Sequence, residues 1–477
     1  MTQEKRPTIA DVLDIKSVVI VGVSAKLGYY WVHSMLQWDH DLDIWLISHK
    51  GGEVLGHTIH QSFDDIPKQI DYAIIAVPFK FVPQILTQCH EKGVKGVSIF
   101  TSGFSELGTD EGKQREVEIK KLLDEYGMRA FGPNCMGLMY PEIGFAFTPT
   151  VKKLVGDVSF LSQSGGVAIA TYTAGVNAGV GFAKVFSFGN QVDIKSQELL
   201  DYLSNDSKTK VIGAYLEGAK NGREVLNSLM KAAEKKPVVV LKGGRSSEGS
   251  RVASSHTGAL AGKNDIWNAA FRQANVQTVD TLEDLIATLG IFSLSPKPKS
   301  RNVGLIAISG GTSVIYTDLC IESGLQVPKT SQVTIAKLDP LIQDVGTGLG
   351  NPIDLAADYY VDQTTSEVIR LVGEEPNFDS LIIEADVHNM YQVASILDAQ
   401  DTLVDYWEIM AKAGKKVVDD EKKPVLVAIP DVAYPGPRAD AWNIFVKYGL
   451  PVFQNVKQAV MALDKVRSYY EVAESRK

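Results

Sequence analysis

Short apolar runs alternate with longer mixed segments along most of the chain. Runs of this length that are rich in β-branched residues are typical of strands, and the mixed segments between them are long enough for helices. The near-continuous apolar character of the runs favours parallel strands that are covered on both faces. The pattern therefore predicts an α/β fold built from repeated strand–helix units.

The predicted strands fall into three sets. In chain order they cover residues 17–22, 43–47, 71–77, 95–101, then 157–162, 182–188, 211–217, 237–242, then 303–309, 380–385, 424–430 and 450–453. The Pro-, Gly- and Thr-rich stretch PEIGFAFTPTVKKLVG is interpreted as a linker after the first set, and SLSPKPKSRN separates the second set from the third. We predict three domains, at 1–145, 146–295 and 302–477.

Composition narrows the class of protein. Hydrophobic residues make up 45% of the 477 positions and charged residues 22%, as in ordinary globular proteins. The net charge of −9 disfavours nucleic acid as a partner, and without an apolar run of about 18 residues we expect no membrane partner. The start MTQEKRPTIADVLD lacks the apolar core of a signal peptide, and the three scattered cysteines form no CxxC pair. We therefore expect a cytoplasmic protein.

A Gly-rich turn follows the first predicted strand. Gly22, Ser24 and Gly28 form the spacing G-x-S-x-x-x-G before a predicted helix, where backbone N–H groups can bind an anion. The next strand ends in SHK, with Lys50 where an NAD site has an acidic residue. A cation there suits a ligand with an extra ribose phosphate, such as CoA or NADP. The alternative to such a ligand site is that Lys50 is a solvated surface residue. Gly22 and Gly28 would then serve only tight packing between helix and sheet.

Other segments end predicted strands at the edge where open parallel sheets bind ligands. They contain Val77 with Pro78, Ser102 with Gly103, and Asn134 with Cys135. Cys135 has no histidine or acid placed near it by the sequence, so we interpret it as a structural or ligand-lining cysteine rather than a nucleophile.

Two more Gly-rich turns follow strands in the second and third sets. They are LSQSGG, with Ser164, Gly165 and Gly166, and ISGGTS, with Ser309, Gly310, Gly311 and Thr312. Their small residues let a phosphate approach the backbone at a helix N-terminus, and the two turns could converge on one phosphate. No Gly-Lys-Ser/Thr follows, so neither is a nucleotide P-loop. Ordinary strand-to-helix turns are the alternative.

His256 lies in the segment GGRSSEGSRVASSHTGALAG, which we predict to be an accessible loop of small residues. Neutral imidazole is a nucleophile toward phosphorus, provided that its second nitrogen is held by an acceptor. Glu217, at the end of a predicted strand, is a candidate for that acceptor. A loop histidine with a structural hydrogen bond is the alternative. The pair His57 and His60 has no further ligands nearby, so we predict no metal site.

Four motifs occur in the order GPNCMG, LSQSGG, YLEG and SHTGALAG. In this order they resemble the alpha subunit of ADP-forming acetyl-CoA synthetase, of the superfamily that includes succinyl-CoA synthetase. The resemblance continues through ISGGTSVIYTD, GLQVP and NPIDLAADY. It implies a Rossmann-like CoA-binding domain followed by two flavodoxin-like domains.

The resemblance also implies a reaction in reversible steps. Acyl-CoA and phosphate give acyl phosphate and CoA, the acyl phosphate phosphorylates a histidine, and the phosphohistidine converts ADP to ATP. By match, His256 is phosphorylated and Glu217 orients it. The implied phosphate-binding residues are Ser164, Gly165, Gly166, Gly310, Gly311 and Thr312. The implied CoA-binding residues are Gly22, Ser24, Lys26, Lys50, Val77, Pro78, Ser102, Gly103, Asn134 and Cys135.

We find no segment that resembles an ATP-grasp domain. The resemblance therefore implies a partner beta subunit that carries ADP or ATP and Mg²⁺, in an α2β2 assembly. The substrate would be a small carboxylic acid or its acyl-CoA. The chain departs from the family in its first turn, where GVSAKLGYYW has bulky Tyr29, Tyr30 and Trp31. That departure motivates an alternative, a non-catalytic CoA-binding regulatory protein, and Lys50 motivates another, an NADP-dependent oxidoreductase.

Overall fold

The computed structural model describes residues 6–66, 69–257, 264–343, 345–430 and 434–476, and for 253–257 it describes the backbone alone. Two compact units divide the chain. One consists of Met1–Val176 and Gly181–Asp280, and the other of Asn177–Val180 and Thr281–Lys477. None of the helices in the described ranges has the length and apolar character needed to cross a bilayer.

Seven described strands form the first sheet of the first unit. They are β1 (Ser17–Val21), β2 (Asp43–Ile47), β3 (Gly52–Val54), β4 (His57–His60), β5 (Tyr72–Ile75), β6 (Gly96–Ile99) and β7 (Arg129–Phe131). Their order is β3-β4-β2-β1-β5-β6-β7, and neighbours are parallel except in the hairpin of β3 and β4. Every residue of β1, β5, β6 and β7 is buried, as expected for strands covered on both faces.

Helices cover both faces of this sheet. They are α1 (Ile9–Leu13), α2 (Tyr30–Leu36), α3 (Val82–Glu91) and α4 (Asp110–Glu125). Thr8 and Thr109 cap α1 and α4, because each threonine hydroxyl accepts a hydrogen bond from an N–H of the first turn. By contrast, α2 follows Tyr29 in a left-handed conformation (φ 53°) and has no side-chain cap. The first Gly-rich turn thus leads into a short helix whose first N–H groups are uncapped.

The second sheet of the first unit contains six described strands. They are β8 (Gly137–Met139), β9 (Val155–Ser162), β10 (Phe182–Ser187), β11 (Val211–Leu216), β12 (Val238–Lys242) and β13 (Gln277–Val279). Their order is β13-β12-β11-β9-β10-β8. All pairs are parallel except β8 with β10. Strand β8 precedes the predicted linker, so the region before residue 145 contributes the edge strand of this sheet.

The helices of this part are α5 (Gly165–Asn177), α6 (Ser196–Asn205), α7 (Gly222–Lys235), α8 (Ser247–Thr257) and α9 (Asn264–Ala274). Helix α8 corrects one prediction, because the segment we expected to be a loop is helical up to Thr257. Its start is capped by Ser246, whose Oγ accepts the Gly249 N–H at 3.0 Å and whose carbonyl accepts the Ser250 N–H at 2.8 Å. Residues 258–263, which include the GALAG part of the histidine motif, lie outside the described residues.

The second unit contains one described parallel sheet in the order β15-β14-β16-β17-β18. The strands are β14 (Val303–Ala307), β15 (Ile353–Asp354), β16 (Ser380–Glu384), β17 (Val425–Ala428) and β18 (Val452–Phe453). The helices are α10 (Leu282–Leu294), α11 (Gly310–Glu322), α12 (Gln332–Leu338), α13 (Asp362–Glu374), α14 (Val387–Ile396), α15 (Leu403–Glu421), α16 (Pro435–Lys447) and α17 (Val456–Ser475). Apolar cores that contain Trp407 and Phe453 lie on opposite faces, and the strand order is that of flavodoxin-like folds.

Each predicted Gly-rich turn lies at the carboxyl end of a strand that has parallel neighbours on both sides. The turns follow β1, β9 and β14, and the last two lead directly into α5 and α11. This edge is where open α/β sheets bind ligands. The fold thus positions all three turns for ligand binding, each within its own sheet.

Candidate functional site

A cavity of about 220 Å³ lies in the first unit. It brings together two groups of residues that the sequence assigned to different ligands, Asn134 and Cys135 for CoA and Ser164, Gly165 and Gly166 for phosphate. Sequence analysis missed the other lining residues, Phe100, Met136, Gln163, Gly189 and Asn190. A thioester and a phosphate bound by these residues would be neighbours.

The phosphate side of the cavity is the first turn of α5. Within the described chain, the N–H groups of Gly165 and Gly166 have no acceptor, so they are available to an anion together with the positive end of the helix. Ser164 shapes the turn, because its N–H donates to Ser162 Oγ at 3.1 Å. A Cβ at Gly165 would lie 2.8 Å from Met136 Cγ. Glycine at this position therefore keeps the anion-binding amides accessible beside Met136.

The GPNCMG segment is held to the residues after β10. The N–H groups of Asn190 and Val192 donate to the carbonyls of Pro133 and Gly132, each at 3.0 Å. Gly189 adopts a positive φ of 48°, and a Cβ there would overlap the carbonyl oxygens of Pro133 and Asn134. This close backbone approach requires glycine and fixes one wall of the cavity.

An aromatic pair supports another part of the cavity lining. Phe100, which follows β6, meets Trp31 of α2 edge to face, with ring centroids 5.4 Å apart. Trp31 is buried, so it packs into the protein at the point where the first turn departs from the family pattern. The bulky Trp31 after the first turn thus adds an aromatic contact to Phe100 in the cavity lining.

Cys135 does not have the environment of a nucleophile. Burial raises the pKa of its thiol to about 12, and Sγ lies 3.7 Å from the carbonyl oxygen of Ile99. At neutral pH the thiol is protonated, and the thiolate is the nucleophilic form. The geometry supports the interpretation of Cys135 as a ligand-lining residue.

Glu217 directly follows β11 and is buried. Gln163 Oε1 accepts hydrogen bonds from the backbone N–H groups of Glu217 and of Gly218, the second at 3.1 Å. Gln163 therefore ties this turn to the phosphate-binding turn. Oε2 of Glu217 is buried and has no hydrogen-bond donor among the described residues, so the carboxylate can accept another hydrogen bond.

Lys242, at the end of β12, lies beside Glu217. Its Nζ donates to the backbone carbonyl of Glu217 at 2.7 Å and to that of Gly243, and it lies 5.3 Å from the ring centre of Trp267. Burial lowers the pKa of Lys242 to about 8, and the charge of Glu217 opposes this shift. The ammonium thus fixes the backbone next to the carboxylate.

The backbone of His256 belongs to α8, and its side chain lies outside the described residues. Cα atoms of α8 approach within 8 Å of those in the 3-10 turn Ser105–Leu107. Glu106 in that turn accepts a hydrogen bond at 2.5 Å from Asn190, which lines the cavity. The helix that carries His256 therefore adjoins the Ser105–Leu107 turn, and a hydrogen bond joins Glu106 of that turn to the cavity-lining Asn190.

The residues predicted to bind CoA, apart from those in the cavity, lie at the carboxyl edge of the first sheet. Gly22 has a φ of 99°, and a Cβ there would overlap the carbonyl of Ala76. Lys26 and Lys50 are exposed, and neither forms an ion pair within the described ranges. Gly103 differs, because its N–H already donates to Glu106 Oε1 at 2.5 Å. The first turn and the segment after β2 thus present exposed Lys26 and Lys50 near a tight glycine turn.

The Gly-rich turn of the second unit has a buried glutamate beneath it. Glu384, the last residue of β16, accepts hydrogen bonds from Tyr316 Oη, from Thr312 Oγ1 at 3.4 Å and from the Ile308 N–H at 3.4 Å. Burial raises the pKa of the Glu384 carboxyl. Sequence analysis missed Glu384, because nothing in its motif distinguishes it from an ordinary strand end.

Metal ligands do not cluster in the part of the chain that the structure describes. No group of three or more His, Cys, Asp or Glu side chains there could hold a metal ion.

Comparison with known proteins places this geometry in a family. Residues 16–141 match a CoA binding domain, and residues 155–292 match a succinyl-CoA ligase like flavodoxin domain. The chain is 33% identical over 457 residues to the alpha subunit of acetate–CoA ligase [ADP-forming] II from Pyrococcus furiosus, and the match covers 94% of each chain. This chain belongs to the family of ADP-forming acetate–CoA ligase alpha subunits. The predicted resemblance, fold and ligase activity are confirmed.

Other members of this family differ in the acid that they are named for. A 4-hydroxybutyrate–CoA ligase [ADP-forming] from Nitrosopumilus maritimus is 33% identical over 358 residues, which is 74% of this chain and 51% of the relative. A dinucleotide-forming acetyl-coenzyme A synthetase 1 from Candidatus Korarchaeum cryptofilum, solved with phosphate and ADP, is similar with a TM-score of 0.83 at 26% identity over 96% of each chain. These similarities favour the catalytic interpretation over the regulatory one and give no support to an oxidoreductase.

Proposed function

We propose that this chain, together with a nucleotide-binding subunit, interconverts acyl-CoA, phosphate and ADP with carboxylic acid, CoA and ATP through an acyl phosphate and a phosphorylated His256. The cavity carries this proposal, since residues predicted for CoA and residues predicted for phosphate line it together. Transfer of an acyl group from sulfur to phosphate requires the two reactants to be held in contact.

The first step takes place at the start of α5. Phosphate held by the amides of Gly165 and Gly166 attacks the thioester carbonyl, the new C–O bond forms, and the C–S bond breaks to release the CoA thiolate. Backbone N–H groups stabilise the negative charge that develops on oxygen, with no cost of reorganisation. In the second unit, Gly310, Gly311 and Thr312 form a similar turn at the start of α11, and we assign it to phosphate binding as well.

In the second step an imidazole nitrogen of His256 attacks the phosphorus of the acyl phosphate. The P–O bond to the acyl oxygen breaks, and the carboxylate leaves. The other imidazole nitrogen carries a proton that needs an acceptor, and the unpartnered Oε2 of Glu217 is suited to accept it. Phosphohistidine then donates its phosphoryl group to ADP on the partner.

CoA would bind along the carboxyl edge of the first sheet. The free ammonium groups of Lys26 and Lys50 suit its phosphates, and the turn at Gly22 and Ser24 suits close contact with the pyrophosphate. Val77, Pro78 and Ser102 follow the neighbouring strands β5 and β6 and would contact the rest of the ligand. These residues fit CoA because the edge offers cations without acidic partners.

The partner is inferred from the relatives, which are named as alpha subunits. We assign ADP and Mg²⁺ to an ATP-grasp beta subunit in an α2β2 enzyme of the cytoplasm. The acid is a small one, because the cavity measures about 220 Å³ and relatives are named for acetate and 4-hydroxybutyrate.

The test is ATP formation by the chain co-expressed with its ATP-grasp subunit, from ADP, phosphate and a panel of small acyl-CoA esters. Radioactive phosphate with acyl-CoA should label the wild-type alpha subunit. His256→Ala should abolish the label, whereas His90→Ala, at an exposed position of α3, should keep it. Persistent labelling of His256→Ala, or no ATP from any acyl-CoA with an active partner subunit, would contradict the proposal.

A further inference from the structure

Asn190 is held by three acceptors from one side. Its Nδ2 donates to Glu106 Oε2 at 2.5 Å, to Glu116 Oε2 at 3.1 Å and to Ser105 Oγ at 3.3 Å. Two of these acceptors are carboxylates, which only accept hydrogen bonds when ionised. The amide therefore has a single orientation, with its NH₂ group toward the carboxylates and its carbonyl Oδ1 away from them.

That orientation leaves Oδ1 without a partner in the part of the chain that the structure describes, on a residue that lines the cavity. Asn190 is 5% exposed and lines the cavity wall. Oδ1 accepts no hydrogen bond from the described residues, and it keeps access to solvent. An amide oxygen that accepts no hydrogen bond within the protein, on a residue that lines a cavity, is free to accept one from a bound ligand.

The two carboxylates that hold Asn190 place negative charge next to its part of the cavity lining. Glu106 is held by the N–H groups of Gly103 and Phe104, at 2.5 and 3.1 Å, and Glu116 lies 3.4 Å from Lys220 Nζ. The lining of the cavity also includes Gly165 and Gly166, whose amides have no acceptor among the described residues. Phosphate and carboxylate are thus attracted to these amides, and Asn190 suits a neutral group with a hydrogen-bond donor.

We propose that Asn190 Oδ1 accepts the hydrogen bond of the CoA amide N–H nearest the sulfur, and so holds the thioester beside the phosphate-binding amides. This inference rests on the proposed function. Phosphate and the acid are anionic at neutral pH, and the thiol proton is absent from the thioester. The amide two carbons from the sulfur is the neutral donor present in both CoA and acyl-CoA. Asn190 therefore positions the reacting sulfur without taking part in the bond changes.

A CoA analogue tests this hydrogen bond directly. In the analogue an ester oxygen replaces the N–H of the amide nearest the sulfur. Titration calorimetry with the complete enzyme should show that wild type binds CoA about three- to tenfold more tightly than the analogue, the range for one neutral hydrogen bond. Asn190→Ala should bind both ligands with nearly equal affinity. Asn205→Ala, at the exposed last residue of α6, should keep the wild-type preference.

The possible outcomes separate the two proposals. Equal affinity of the wild type for CoA and for the analogue overturns the role of Asn190. A preference for CoA that is unchanged in Asn190→Ala overturns it as well. Absence of any CoA binding by the wild type instead contradicts the proposed function. A purely structural role of Asn190 would weaken both ligands to the same extent and leave the ratio unchanged, so the ratio is the decisive quantity.

Discussion

Glu217 and Glu384 lie at the carboxyl ends of equivalent strands in two different sheets, yet their carboxylates meet different partners. Each strand pairs with the strand that leads into a Gly-rich turn, β11 with β9 and β16 with β14. Glu384 accepts hydrogen bonds from Tyr316, Thr312 and Ile308, whereas Oε2 of Glu217 has no donor among the described residues. At these equivalent strand ends, the unused acceptor of Glu217 suits it to a further hydrogen bond, whereas the carboxylate of Glu384 already fixes its turn.

Replacing Glu217 by glutamine should lower phosphohistidine formation by about a hundredfold or more, since a neutral amide cannot stabilise a positively charged imidazole as a carboxylate does. The measurement is the initial rate of labelling by radioactive phosphate and acyl-CoA. Glu224→Gln, at an exposed position of α7, is the matched control and should label at the wild-type rate. Wild-type labelling by Glu217→Gln would remove Glu217 from the mechanism.

The sequence predicted the strands that have continuous apolar runs, because such runs carry a strong signal. It missed β3, β4, β7, β8, β13 and β15, which are two to four residues long and lie near sheet edges. The predicted loop around His256 was wrong, since serines in a glycine-containing stretch can cap a helix as readily as form a loop. Gln163 and Asn190 were missed because their roles arise from contacts with residues more than 50 positions away.

Lys242 should make the stability of the protein rise between pH 8 and 10.5. The ordinary pKa of 10.5 is lowered to about 8 in the folded chain. Between these values the unfolded chain keeps a proton that the folded chain has lost, so unfolding becomes less favourable as the pH rises. The difference in the free energy of unfolding between wild type and Lys242→Met should therefore grow in favour of the wild type by up to about 3 kcal/mol from pH 8 to pH 10.5.

Chemical denaturation at pH 7.5 and at pH 10 measures this difference. Lys231→Met, at an exposed position of α7, is the control, and its difference from wild type should not change with pH. A difference for Lys242→Met that stays constant, or that falls as the pH rises, would show that the ammonium is not destabilised by burial.

Gly189→Ala should destabilise the first unit by about 2 to 4 kcal/mol. The positive φ disfavours any side chain, and the new methyl group would overlap the carbonyls of Pro133 and Asn134. Gly222→Ala is the control, because a Cβ there meets no atom within 4 Å. Equilibrium unfolding should show a loss of stability only for Gly189→Ala, and equal stability of the two variants would contradict the close approach.

Phe100→Ala should shift acyl specificity toward larger groups, because it removes an aromatic ring from the cavity wall together with that ring's edge-to-face contact with Trp31. We expect the ratio of kcat/KM for a branched acyl-CoA to that for acetyl-CoA to rise about tenfold or more, the range for one or two methylene-sized contacts. Phe81→Ala, an exposed ring that does not line this cavity, should leave the ratio unchanged. An unchanged ratio in Phe100→Ala would place the acyl group elsewhere.

The antiparallel pairing of β8 with β10 limits which segments of this chain can be replaced by those of related proteins. Residues 137–139 belong to the segment that matches the CoA binding domain, yet they complete the edge of the neighbouring sheet. A recombination event that replaced everything before residue 145 would also replace this strand, and a mismatched strand would leave the N–H and C=O groups of β10 unpaired. Gene fusion and domain shuffling should therefore preserve the two regions as a pair.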